Sequence, residues 1–327
     1  MDAKSSVKQK LIVTATPHIR SKETVSDIML DVIIALAPAA VMGAFYFGLR
    51  AAALMALSVG SAVLFEFLYR LATRRDRTIN DLSAVVTGLL LAFGLPPSAP
   101  FWVPVVGAAF AIVIVKQLFG GIGQNFVNPA LAARAFLLAS YPGIMASWSL
   151  AGISARIDAV STATPLAQLK DGAEQLPSLL QAFLGNRNGS LGETCVAAIL
   201  AGLAYLLIKR IISWRIPVTY IASFALVAWI MGREGAFTGN PLYELCLGSV
   251  MLGAVFMATD YTTSPVTPIG QIIMGVGCGA LNAVFRLRGG FPEGTTYAIL
   301  IMNLAVPLID KFTKPRIYGE VKKHGHI

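Results

Sequence analysis

The chain has 327 residues, 56% of them hydrophobic and 13% charged, with a mean hydropathy of +0.69 and a net charge of +9. Soluble domains carry roughly a quarter charged residues, so this composition excludes a soluble globular protein. The surplus Lys and Arg sit at the ends of apolar runs, where they read as topology signals and contacts to anionic lipid rather than as a nucleic-acid surface.

Residues 1–24 are polar and basic and form a tail, with no cleavage site after the first apolar run that would mark a signal peptide. Ten apolar segments follow, near 28–48, 51–71, 81–95, 101–119, 128–140, 191–209, 214–232, 242–259, 268–286 and 295–312. Runs such as "LMALSVGSAVLFEFL" and "FWVPVVGAAFAIVIV" approach the ~20 residues that cross a ~30 Å hydrocarbon core. The third, fifth, eighth and tenth segments are short. The third and eighth break into the Pro-containing stretches "PPSAP" and "TTSPVTP".

A shift of 169 residues lays Pro96 on Pro265, Gly120 and Gly121 on Gly289 and Gly290, and Leu131 on Leu300. Together with the shared order of long and short spans, this points to a duplicated five-span unit. Five is odd, so the second copy crosses in the opposite sense, as in inverted-repeat transporter folds. The expected fold is all-α and polytopic, with about ten transmembrane segments. The repeats occupy 25–140 and 191–312, joined by a polar loop at 141–190 and followed by a tail at 313–327. Broken helices survive at membrane depth only when buried or lining a cavity, so binding regions are expected at the short segments and their loops.

With the N-terminus inside, the cytoplasmic connections hold 18 Lys and Arg against 7 in the outer loops. That bias favours cytoplasmic termini and an outer, periplasmic position for the loop 141–190. Cys195, Cys246 and Cys278 fall singly with no CxxC spacing, and His18, His324 and His326 lie in the tails, so no metal or iron–sulfur site is expected.

The outer loop contains "DAVSTATPLAQLK", which gathers Ser161, Thr162 and Thr164 before Pro165. Thr164 as N-cap with Pro165 at the first helical position explains one hydroxyl and leaves two. The start of a helix also offers free N–H groups to a phosphate. Arg134, in the fifth segment, is a charge inside an apolar run: either a structural partner of a buried carboxylate or carbonyl, or a positive group facing a ligand. Asn125 and Asn128 flank the Gly-rich break before it. Ser190 to Glu193 reads as a capping box opening the sixth segment, with Thr194 beside it, and Thr78 to Asp81 gives a similar pattern before the third. Asp260 follows the eighth segment. Asp31, Glu66, Glu244 and Asp310 lie near span ends, wet or paired, and no span carries a cluster of acids for a coupling ion.

Ser161-Thr162-Ala163-Thr164, with Pro165 and Leu166, resembles the flavinylation motif of the NqrB/RnfD family of membrane redox-pump subunits. That family comprises the D subunit of the Rnf complex and the B subunit of the sodium-translocating NADH:quinone reductase. "GGIGQNFVNPALAARAFLL", "GSLGET" and "MATDYTTSPVTPIGQ" resemble other family stretches, so the likeness runs from about residue 25 to 312. The compact length and short N-terminus are nearer the Rnf side. The resemblance implies FMN joined to Thr164 through its phosphate by a separate flavin transferase, within a loop that also holds Ser161, Thr162, Ala163 and Pro165. It makes Arg134, Asn128, Asn125 and Thr194 candidates for the same flavin.

The same resemblance implies a second, noncovalent flavin, riboflavin, near Asp260, Thr262 and Thr263. The bland reading of that stretch is a Pro-rich loop satisfying its own backbone. The implied role is an electron-transfer subunit, with no complete activity alone, of a bacterial inner-membrane complex coupling ferredoxin and NAD chemistry to Na+ or H+ translocation. Its partners would be the other subunits, an outer-face FMN subunit among them. No GxGxxG follows a strand pattern, so no NAD site is expected. The alternatives are a quinone-reductase B-like subunit and a solute transporter or channel, because fold does not fix function.

Overall fold

The computed structural model describes residues 24–74, 79–147, 178–232, 235–289 and 294–314. Ser161, Thr162, Ala163, Thr164 and Pro165 lie outside the described residues, as does Thr78. Among those described, the regular elements are all helical.

The first helix, α1 (Val25–Phe47), starts where Thr24 and Asp27 close a reciprocal capping box, at 3.2 and 2.9 Å. A single glycine, Gly48 with φ +77°, ends it and opens α2 (Leu49–Ala72). Asp81 Oδ1 then accepts from Ser83 N at 2.8 Å at the start of α3 (Ser83–Phe93), which Leu82 enters in the left-handed region. The fourth helix, α4 (Trp102–Gln117), winds as a π-helix over Phe110–Gln117. Asn128 caps α5 (Pro129–Ser140), accepting from Ala130 N and Leu131 N at 3.0 and 3.3 Å, with Pro129 in the first turn.

Two short helices, α6 (Pro142–Met145) and α7 (Leu179–Leu184), precede α8 (Val196–Ile208) and α9 (Arg215–Ile230). Next come α10 (Pro241–Cys246) and α11 (Val250–Leu252, continuing as a π-helix over Gly253–Met257). The last two are α12 (Pro268–Arg288) and α13 (Thr295–Thr313).

Every apolar segment read from the sequence holds a helix. Two differ in detail. The sixth starts late, at Val196, and Leu191 N and Gly192 N before it donate to the end of α3 instead. The eighth is split at 247–249, where Gly248 takes φ +66°. There the Arg286 Nη1 of α12 donates to the carbonyls of Glu244 and Leu247 at 2.7 and 3.0 Å. A break inside lipid is tolerated when the carbonyls it frees are satisfied, and Arg286 does this.

By length and composition α1, α2, α12 and α13 are each able to cross a bilayer, and α3, α4, α5, α8 and α9 are shorter apolar helices. The chain is a multi-pass membrane protein. We call the end where α1 starts proximal and the opposite end, at Gly48, distal. Proximal contacts tie Asp31 to Tyr205 at 2.6 Å and Ser213 to Gln271 at 2.8 Å. Distal contacts tie Tyr46 to the Leu184 carbonyl at 3.0 Å and Ser98 to the Ser147 carbonyl at 2.6 Å.

In the core, α2 packs on α3 and α4, α1 on α8, and α9 along α12, while α5 meets α3, α4 and α13. The α9–α12 contact depends on small residues. A methyl group on Gly275 would strike Thr219 Oγ1, and one on Gly279 would strike Ser223 Oγ and the Tyr220 carbonyl.

Candidate functional site

The broken helix ends from the two halves of the chain lie at opposite ends of the bundle, and the buried polar side chains gather around them. At the distal end α3 stops at Gly94, and the chain runs without regular structure to Phe101. Arg50 pins this stretch. Its Nε donates to the Pro97 carbonyl at 3.2 Å and its Nη2 to those of Ser98 and Ala99 at 3.1 Å, with the guanidinium 5.3 Å above the Phe101 ring. The "GSLGET" stretch packs onto the same break: Leu191 N donates to Leu95 O at 3.1 Å and Gly192 N to Phe93 O at 3.2 Å. Only glycine fits at 192, since a Cβ there would collide with the Phe93 ring.

Arg134 is 3% exposed, and its stem lies against the break, where a Cβ on Gly94 would sit 2.8 Å from Arg134 Cδ. Thr194 is buried on the Leu191 side. Glu193 Oε1 accepts from Ser190 N at 2.9 Å, so half of the expected capping box is present, although the helix itself starts later, at Val196. The other half is absent: Ser190 Oγ is buried and has no partner among the described residues. Arg187 donates to the Glu193 carbonyl at 2.9 Å and braces the turn. Both described flanks of residues 148–177 attach at this end, through Ser98–Ser147 before them and Tyr46–Leu184 after them.

At the proximal end a small, half-open pocket of about 50 Å³ lies between α1, α3, α4, α5 and the connection after α11. Ser83, Thr87, Lys116, Asn125, Asp260 and Thr262 supply its polar wall, and Met29, Val86, Ile122 and Pro129 its apolar wall. The two π-helical segments converge here, one ending beside Lys116 and the other just before Asp260. π-Turns shift side chains out of the regular α phase and recur at functional sites. Asn128 stabilises the second segment, donating to the Met257 carbonyl at 3.3 Å.

The structure brings together residues that stand in separate groups along the sequence. Asn125 Nδ2 donates to Thr262 Oγ1 at 3.2 Å, and the hydroxyls of Thr262 and Thr263 donate to Asp260 Oδ2 at 3.0 and 3.2 Å. Asn125 therefore stands with Asp260, Thr262 and Thr263, and Asn128 bridges α5 to α11. Arg134 and Thr194 stand with the distal break. Burial pushes the Asp260 carboxyl above its ordinary range, opposed by the Thr262 and Thr263 hydrogen bonds and by the nearby Lys116 charge. Asn125 Oδ1 is buried without a partner among the described residues, which leaves a hydrogen-bond acceptor at this end.

Sequence reasoning missed the strongest polar feature. Lys116 Nζ donates to Glu66 Oε2 at 2.9 Å and to Ser83 Oγ at 2.5 Å, Gln117 Nε2 donates to Glu66 Oε1 at 2.9 Å, and Ser83 Oγ donates to Asp81 Oδ1 at 2.5 Å. The available signal was a lysine inside the fourth apolar segment, because intramembrane charges are rare and seldom idle. It also missed Arg286, fully buried and 3.6 Å from Glu244 Oε2.

The profile of the NQR2, RnfD, RnfE family matches residues 12–319. The chain belongs to that family. Similar proteins include the D subunit of the Na(+)-translocating ferredoxin:NAD(+) oxidoreductase complex of Acetobacterium woodii, 52% identical over 95% of this chain and 96% of the relative. The D subunit of the proton-translocating complex of Clostridium ljungdahlii is 43% identical over 97% and 99%. The D subunit of an ion-translocating oxidoreductase complex from Stutzerimonas stutzeri is 41% identical over 91% and 93%. Matches of this extent span both ends of the bundle in this member of the NQR2, RnfD, RnfE family.

Proposed function

We propose that the chain is the flavin-bearing D subunit of an Rnf-type ferredoxin:NAD(+) oxidoreductase in a bacterial cytoplasmic membrane. It would carry electrons between the other subunits of an ion-translocating complex and have no complete activity alone. The observation that carries this reading is the 52% identity to an Rnf D subunit over 95% of the chain. Relatives named for sodium and for protons are similar over comparable lengths, so nothing in that likeness selects the coupling ion.

In this reading FMN is esterified to Thr164 by a flavin transferase, and Ser161 to Pro165 lie on the outer face. Support comes from the flanks of that loop, which are anchored at the distal end, opposite the start of α1. With a basic N-terminal tail inside, that end faces the periplasm. A tether holds the flavin at high effective concentration, so the carrier is not lost between electron transfers. Bound flavin would supply one- and two-electron chemistry; the chain would supply position and polarity. At the distal break, Arg134, Thr194 and the unpartnered Ser190 hydroxyl fit an anionic, hydrogen-bonding ligand. Beside the proximal pocket, Asn125 Oδ1 and the Asp260–Thr262–Thr263 cluster offer hydrogen-bonding groups to one edge of a second, noncovalent flavin such as riboflavin.

The fold fits two inverted five-helix repeats. Arg134 lies against Gly94, and Asn303, in the amide orientation that satisfies both ends, donates to Thr263 O at 3.2 Å. The two pairs are related by the same shift of 169 residues. Each fifth helix thus places a polar side chain on the break of its own third helix.

The chain made with an active flavin transferase should fluoresce as a flavoprotein after denaturing electrophoresis. A peptide containing Thr164 should be heavier by FMN less water, and Thr164→Ala should abolish both signals. Wild-type protein without flavin returns the fold to the transporter reading. Co-purification with an FAD-containing NADH-oxidising subunit, instead of iron–sulfur subunits, moves it to the quinone-reductase branch.

A further inference from the structure

We infer that an apolar groove in the distal half of the bundle is a binding site for one acyl chain of a phospholipid in that leaflet. Five helices wall a space of about 670 Å³: α7 with Leu180 and Phe183, α8 with Leu200, α9 with Ile221, α10 with Leu242 and α11 with Met251. Both α7 and α10 start at the distal surface, where exposed Ser178 and Asn240 cap them. The rim lies just inside these caps and is open, with Leu180 and Leu242 66% and 63% exposed. Val196 and Met251 form the floor, 4% and 6% exposed. The groove therefore runs from the distal water boundary inward to the start of α11.

The lining decides the chemistry of the occupant. Among the described residues it consists of Leu, Ile, Val, Phe and Met with a single Cys, so only the weakly donating Cys246 thiol offers a hydrogen bond. A flavin ring, a quinone head or a phosphate entering here would give up its hydrogen bonds to water and gain none in return. Hydrocarbon enters without that loss, and it restores the dispersion contacts that a groove of this size otherwise forfeits.

A transmembrane helix of another subunit also presents hydrocarbon, but helices dock differently. In lipid they meet through small residues that let the backbones approach. The α9–α12 contact of this chain does so through Gly275 and Gly279, where a methyl group finds no room. Among the described residues the groove lining has no Gly, Ala, Ser or Thr. Its long side chains hold backbones apart and leave a channel for a thin, flexible chain, which the surrounding bilayer supplies. The lipid head stays in water at the distal rim, so the site selects the chain and not the head. Because α7 follows directly on residues 148–177, a seated chain packs the far flank of that loop onto α8 and α10. This inference is independent of where a flavin binds.

The test places the full chain in nanodiscs containing phosphatidylcholine with a diazirine midway along one acyl chain. After irradiation, peptides covering 178–184 and 242–251 should carry more label than the α1 face at Val41 and Phe45, which is also exposed. Phosphatidylglycerol bearing the same labelled chain should give the same pattern. Leu200→Trp and Met251→Trp push an indole into the groove from two different walls. Each should cut groove labelling at least about tenfold, as losing contact with about two methylene groups does, while α1 labelling holds. Groove labelling no greater than that of α1 overturns the site, and this wild-type comparison stands whether or not either variant folds. Labelling unaltered by both substitutions overturns it too. So does native mass spectrometry that finds an isoprenoid quinone, rather than a phospholipid, displaced by Leu200→Trp, or a crosslink from the groove to a partner helix in the intact complex.

Discussion

Lys116 Nζ lies 2.9 Å from Glu66 Oε2, and both side chains are at least 97% enclosed. The pair joins the π-helical part of α4 to α2. Removing one member of a buried pair leaves the other charge uncompensated, at a cost of about 3–5 kcal/mol. Lys116→Met and Glu66→Leu alone should therefore lower the melting temperature in detergent sharply, and the double variant should recover most of the loss. A double variant as unstable as the singles would mean that the pair is not the principal interaction of either residue.

The Arg50 clamp predicts a difference between two cations. Arg presents a rigid fork and Lys a single point charge. Three carbonyls, of Pro97, Ser98 and Ala99, accept from Arg50. Arg50→Lys should lose at least one of these bonds, each worth about 1.5–3 kcal/mol when the donor is charged. Proteolysis of the 94–101 stretch should then speed up while secondary structure stays unchanged. Equal protection in Arg50→Lys would show that the Phe101 contact alone holds the break.

At the α9–α12 contact, Gly279 is the more demanding of the two glycines, because a Cβ there meets a backbone carbonyl that cannot rotate away. Gly279→Ala should destabilise by about 1–3 kcal/mol, as overpacking does. Gly60, with open space around its Cβ position, should tolerate Ala and gain slightly in helix propensity. Thermal melts of the two single variants side by side give the comparison.

The helices were largely legible because a lipid-buried chain must write each span as an apolar run, and turns such as Asn128-Pro129 declare the next start. Partners were less so. Glu66 and Lys116 are 50 residues apart and meet only once α2 and α4 pack. A carboxylate near the end of an apolar run looks the same whether it ends in water or beneath a lysine. The split at Leu247–Ser249 was hidden for a related reason. Its carbonyls are satisfied by Arg286, a residue of α12, and the one local mark is Gly248, a residue that apolar spans also carry without breaking. Asn125 was recognised as a ligand-type residue, but its allegiance to Thr262 across 137 positions is a product of the fold.

Asp260 gives a pH signature. Burial raises its carboxyl above the ordinary value near 3.8, so the folded chain holds this proton more tightly than the unfolded chain does. Stability contributed by the neutral form is therefore fully present below the unfolded value. It declines as pH rises through the folded value and is constant above it. Thr262 and Thr263 donate to the ionised carboxylate and limit the decline. Asp260→Asn cannot ionise, so its melting temperature should lack this part of the pH dependence. The difference between variant and wild type should shift in the variant's favour from about pH 4 upward, starting at the usual carboxylate range. The comparison needs only melts of both proteins across the acidic range in one detergent. A difference that stays constant with pH would place Asp260 in water, and the cavity would then lose its buried acid.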